Sequence, residues 1–143
     1  MIDLDQLYRQ VIMDNYKNPK NKGLIETSDY INIHLKNPSC GDDMHVSVKC
    51  SGDSIDDIRH DGSGCSICCS SASVASELLK GKTKEEALKL IEKFYDMVKG
   101  EEIEDLEELD EAMAYKTVSQ FPARIKCATL SWKAIEQALK EEK

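Results

Sequence analysis

Positive charge is scarce in this chain. Lysine and arginine number 19 against 27 aspartates and glutamates, a formal net charge of −8. A nucleic-acid-binding surface needs clustered Lys and Arg, and adhesion to anionic lipid needs a basic segment, so neither partner is expected. Long apolar runs are lacking too. No stretch of about 18 apolar residues occurs, so no membrane-spanning helix is expected. The opening MIDLDQLYRQ is too polar and acidic for a signal peptide, and the expected location is cytoplasmic. In that compartment six cysteines point to metal or redox chemistry rather than to a disulfide framework. Neither an internal repeat nor a linker divides the chain, and 143 residues suit one domain over 1–143, large enough to fold without disulfides.

What is present changes period along the chain. Leu4, Leu7, Val11, Ile12 and Tyr16 recur at helical spacing over about Asp3–Tyr16, and Pro19 and Gly23 end that run. Strand alternation follows: Ile31, Ile33 and Leu35 share one parity, and Met44, Val46, Val48 and Cys50 share another. Ser51-Gly52-Asp53 is a turn signal before a third strand over Ile55–His60. After Gly64 the period is helical again, to Gly81. Thr83 with Glu86 forms a capping-box pattern ahead of the stripe Ala87, Leu88, Ile91, Phe94, Tyr95 and Val98. Eight acidic residues in Glu101–Glu111 read as a solvated loop or helix face, or as a docking strip for a basic partner. A last helix is predicted over about Ala123–Lys140. The expected class is α+β, a small three-stranded antiparallel sheet covered on one face by helices.

The chemistry concentrates in Cys40 and Asp42 of NPSCGDDM, Cys65 of GSGCS and Cys127 of ARIKCATL. Three thiols and a carboxylate make a complete tetrahedral set for zinc. Cys40-Gly41-Asp42 lies in a turn, where glycine removes the bulk that would hinder approach to one ion. Cys65 is expected to open a helix and Cys127 to fall in the first turn of the last one, positions that favour thiolate. Cys65-Ser66-Ile67-Cys68 is a C-x-x-C, read either as a redox pair or as one ligand followed by small thiols, Cys68 and Cys69, packed under the sheet. Cys50 reads as core. His34 and His45 alternate out of phase with apolar neighbours and read as exposed. His60, near the Gly62–Cys65 loop, is the one histidine that could replace Asp42 as a ligand.

LYRQVIMDNYKNPKNKG, NPSCGDDM, GSGCSI and FPARIKCATLSWKA, taken in order, resemble the U-type iron–sulfur assembly proteins, which include SufU and IscU, over nearly the whole chain. Cys65 and Cys127 stand 62 positions apart, a longer spacing than the IscU pattern, and Lys126 stands where IscU-type members carry histidine. Both features lie nearer the SufU branch. VSQFPARIK also replaces the segment that IscU-type members offer to an Hsp70 chaperone. The resemblance implies a zinc-dependent sulfurtransferase with zinc on Cys40, Asp42, Cys65 and Cys127. Cys40 would be the acceptor of persulfide sulfur from a SufS-type cysteine desulfurase, with downstream iron–sulfur assembly proteins receiving it. Arg124 is a candidate for partner docking or for stabilising anionic sulfur. Cys68 and Cys69 depart from the family pattern and compete with Cys40 as acceptors. Two rival readings stay open: a scaffold holding iron or a [2Fe–2S] cluster on the same ligands, and a structural zinc adaptor.

Overall fold

The computed structural model describes residues 4–38 and 41–141. Helix α1 spans Leu4–Lys17. Strands β1 (Ile31–Asn37), β2 (Asp42–Ser51) and β3 (Ser54–Ser63) pair antiparallel in the order β1-β2-β3. Helices α2 (Ser66–Leu79) and α3 (Lys84–Val98) follow, then a 3-10 segment over Leu106–Gln120 and helix α4 (Pro122–Glu141). The α+β class, the meander and the turn at Gly52 are as the alternation predicts.

Side-chain alternation sets the two faces of the sheet. Ile33, Met44, Val46, Val48, Ile55 and Ile58 are buried under the helices, where Val46 and Ile58 pack with Ile91, Phe94, Trp132 and Ile135. Asp42 shares the parity of Met44 and Val46, so its carboxylate is carried into the protein and is 1% exposed. Cys50, expected in the core, is half-buried instead. The β2–β3 register shifts between Lys49 and Cys50, and such an irregularity re-aims the side chain beside it.

Helix α2 is the central helix, buried on several faces although serine-rich. Ser70, Ser71, Ser73 and Ser76 are all inaccessible, and each hydroxyl is bonded, as burial requires. Ser71 Oγ donates to the Ala128 carbonyl at 2.6 Å and accepts from Trp132 Nε1 at 2.8 Å. Tyr115 donates to Ser70 Oγ at 2.6 Å, and Ser73 donates to Asn15 Oδ1 at 2.7 Å. Small hydroxyls let α1, α4 and the 3-10 segment approach closely while these four α2 hydroxyls stay paired. Trp132 stacks on Phe94 with ring centroids 3.8 Å apart.

The sequence predicts a solvated loop or helix face over Glu101–Glu111; the structure forms a 3-10 segment from within that run onward to Gln120. Leu106, Leu109, Ala112, Tyr115 and Val118 recur every third residue, and the last four are buried. That is the 3-10 period rather than the α period. Asp110, at φ 48° and ψ −126°, kinks the segment. Most of the acidic run stays exposed, but Lys93 pairs with Glu108, and Asn15 and Lys20 hold Glu111 at 2.9 and 3.7 Å.

Candidate metal centre

Three elements bring the predicted site residues together. Asp42 opens β2, Cys65 is the residue before α2, and Cys127 lies in α4. One oxygen of Asp42 and the two sulfurs lie within 4.8 Å of one another. Cys65 is exposed, whereas Cys127 is 4% exposed, so the set has a closed side and an open side. Cys40 lies outside the described residues; the sequence puts it two positions before Asp42.

Local geometry explains the Gly-Ser-Gly segment. Asp42 Oδ1 accepts the Cys65 backbone N–H at 3.0 Å. A Cβ on Gly64 would stand 2.5 Å from that oxygen, and one on Gly62 would stand 2.2 Å from the Asp43 carbonyl. Both glycines are therefore places where a side chain would collide with the strand that carries the carboxylate. Cys65 caps α2 with extended backbone at φ −72° and ψ 167°, and helical bonding begins with Cys69 N–H to the Cys65 carbonyl at 3.1 Å.

Cys127 differs from expectation in one respect. Helix α4 starts at Pro122, so Cys127 falls in its second turn, beyond the free N–H groups of a helix end. What reaches it instead is an amide: Asn37 Nδ2 donates to Cys127 Sγ at 3.9 Å, and both residues are buried. Asn37 is the cross-strand partner of Asp42. Sequence reasoning passed over it, although it opens the NPSCGDDM motif. Met44, Cys68, Ala72 and Leu130 complete an apolar wall around Cys127.

The other candidates separate. Cys68 is fully buried in that wall, as the packing reading has it. Cys69 is half-buried, with its thiol donating to the Gly64 carbonyl at 3.7 Å. Burial first, then the negative charge of Cys65 and Asp42, pushes the Cys69 thiol up, which keeps it protonated and a poor nucleophile. His60 does not join the set. It is 3% exposed and its Nε2 bonds the Lys20 carbonyl at 2.7 Å; burial pushes its pKa down. Arg124 lies over the Phe121 ring at 5.0 Å and lines an open groove of about 560 Å³ with Tyr8, Arg9 and Ile67.

The NifU-like N terminal domain family matches residues 7–94. The chain belongs to that family. It is 49% identical to the zinc-dependent sulfurtransferase SufU of Bacillus subtilis (strain 168), over 98% of this chain and 94% of that protein. It is 41% identical to the iron–sulfur cluster assembly scaffold protein IscU of Streptococcus pyogenes serotype M1, over 96% of this chain and 85% of that one. Among solved structures, a candidate SUF-system iron–sulfur assembly scaffold from Fervidobacterium islandicum AW-1 superposes with a TM-score of 0.80 at 34% identity, covering 94% of this chain and 97% of its own. The family match holds Asp42 and Cys65, while Cys127 lies beyond it in the stretch that the SufU alignment covers; iron–sulfur cluster assembly is the setting of this family. Among the described residues no helix is long and apolar enough to cross a membrane.

Proposed function

We propose that this NifU-like domain is a zinc-dependent acceptor of persulfide sulfur, with Cys40, Asp42, Cys65 and Cys127 as ligands and Cys40 as the receiving thiol. The convergence of Asp42, Cys65 and Cys127 from three elements supports the reading. The donor set fits the ion: thiolates and a carboxylate around tetrahedral zinc stand ~3.3–3.8 Å apart, and the three described donors lie within 4.8 Å of one another. Gly64 leaves the room that the carboxylate fills. When bound, zinc would favour thiolate over thiol at neutral pH and shield it from oxidation.

The protein's own residues supply the rest. Asp42 is held by the Cys65 N–H, Cys127 by the Asn37 amide, and the apolar wall keeps water from the Cys127 side. Cys40 thiolate attacks the terminal sulfur of a donor cysteine persulfide. A new S–S bond forms at Cys40, the donor's S–S bond breaks, and the donor leaves as thiolate. The exchange needs no outside oxidant or reductant. The donor of this chemistry is a pyridoxal-phosphate cysteine desulfurase of SufS type, and iron–sulfur assembly proteins are the recipients. Arg9 and Arg124, on the groove beside Ile67, are the cations available to meet an acidic edge of that donor.

The test is cysteine turnover by the desulfurase with zinc-loaded protein and no added iron. The expected result is stimulation at sub-stoichiometric amounts, abolished by Cys40→Ser. Absence of stimulation with binding intact would transfer the assignment to a cluster scaffold, in keeping with the 41% identity to a scaffold protein. Persulfide formed undiminished on Cys40→Ser would move the acceptor to Cys69. Partner function retained by Cys40→Ser would fit a structural zinc adaptor.

A further inference from the structure

Asp42 and Asp43 are consecutive on β2 and so point to opposite faces of the sheet. Asp42 enters the thiol cluster. Asp43 faces outward, between two histidines. His34 on β1 and His45 on β2 are direct cross-strand partners, and their rings stack with centroids 3.9 Å apart and planes 7° apart. His34 Nε2 lies 2.5 Å and His45 Nε2 3.5 Å from the same oxygen, Asp43 Oδ1. Asp61 pairs with His45 from β3 and adds a second carboxylate to this face, while Lys36 pairs with Asp43 and opposes it.

We propose that His34, Asp43 and His45 form a second metal site, open and exchangeable, for a divalent late first-row ion such as zinc, nickel or cobalt. Two imidazoles and a carboxylate are a donor set for such ions rather than for magnesium or calcium. Metal–nitrogen bonds of ~2.0–2.1 Å need donors only a few ångströms apart, and the three candidate atoms already lie within 4.8 Å of one another. Directly opposed residues on antiparallel strands hold their Cβ atoms ~4.5–5.5 Å apart, so the backbone sets the spacing of the two rings. The side chains are 41%, 38% and 41% exposed for His34, Asp43 and His45. An ion can therefore reach the donors from solvent; the stacked rings must splay and the His34–Asp43 contact must open for both Nε2 lone pairs to converge on it, and its remaining positions face water. A mere surface ion pair would need one histidine beside Asp43; here both ring nitrogens turn to one oxygen.

The site does not depend on the thiol centre. Equilibrium dialysis against zinc, with bound metal counted per chain, tests it on the wild type and on His34→Gln/His45→Gln. The wild type should hold one equivalent more than the variant. Asp43→Asn should weaken the outer class of sites by roughly tenfold or more. Side-chain ¹⁵N shifts of His34 and His45 should move with that equivalent while those of His60 stay in place. Equal metal content in wild type and double variant, whether one equivalent or two, overturns the proposal. If the thiol centre takes no zinc, both counts fall by one and the difference remains, so the two assignments fail separately. Should the double variant not fold, His34→Gln alone, a change at one exposed ring, must show the same loss.

Discussion

A buried carboxylate is costly unless it is bonded or bound to metal. Asp42 meets that condition through the Cys65 N–H and through the space that Gly64 leaves open. Gly64→Ala puts a Cβ 2.5 Å from Asp42 Oδ1, a separation that forces the carboxylate or the loop to shift. The expected outcome is a loss of zinc affinity of roughly tenfold or more, read by chelator competition, with little change in far-UV dichroism. Unchanged affinity would mean that Asp42 is not a ligand. His60 carries a different residue-scale prediction. Burial holds its folded pKa below the unfolded value of about 6.5. Above that value both states are neutral and the full stability is present. As pH falls, the unfolded chain takes the proton first, and stability is lost down through the folded pKa. His60→Gln keeps an amide donor for the Lys20 carbonyl and removes the titration. Between pH 7.5 and 5.5 the wild type should lose about 1 kcal/mol more than the variant in urea unfolding; equal losses would refute the assignment.

At the scale of elements, the capping box of α3 isolates local stability from the site. Thr83 Oγ1 accepts the Glu86 N–H at 3.1 Å, and Glu86 Oε1 accepts the Thr83 N–H at 3.2 Å. Thr83→Ala should cost about 1 kcal/mol in chemical denaturation and leave sulfur acceptance by the folded protein unchanged. A drop in acceptance would couple α3 to the centre. This cap was legible as Thr83 followed by Glu86, and the first two strands were legible in the parity of Ile31–Leu35 and Met44–Val48, with the third marked by the turn at Gly52, because a half-buried sheet writes its faces into alternate residues. The 3-10 segment was not. Its apolar residues stand three apart, starting inside the acidic run and continuing past it to Val118, a period that neither the helix nor the strand template matches. Serine on α2 was equally opaque: Ser70 and Ser71 look polar in sequence, and only the partners Tyr115, Ala128 and Trp132, distant in the chain, show why they can be buried. At the site, Cys65 and Cys127 could be named from motif and family resemblance. The role of Asn37 could not, because a single buried amide leaves no spacing signature.

At the scale of the whole molecule, the thiol and carboxylate set ties the head of β2, the start of α2 and the second turn of α4. These parts are far apart in the chain and adjacent only in the folded state. An ion bound there therefore prefers the fold to the unfolded chain, and the difference in its binding free energy adds to stability. With free zinc at a hundred times its dissociation constant the gain is about 2.7 kcal/mol, which for a chain of this size raises the melting temperature by about 5 to 10 °C. Removing the metal with a chelator should lower the melting temperature by that amount, and restoring zinc should recover it. Asp42→Ala, lacking one donor, should show a smaller difference between loaded and stripped protein. His34→Gln/His45→Gln should keep most of the difference and lose only what the open, exchangeable outer ion adds by its own binding. If stripping the metal left the wild-type melting temperature unchanged, the three elements would be held by packing around Trp132 and Phe94 alone, and the centre would serve chemistry without serving the fold.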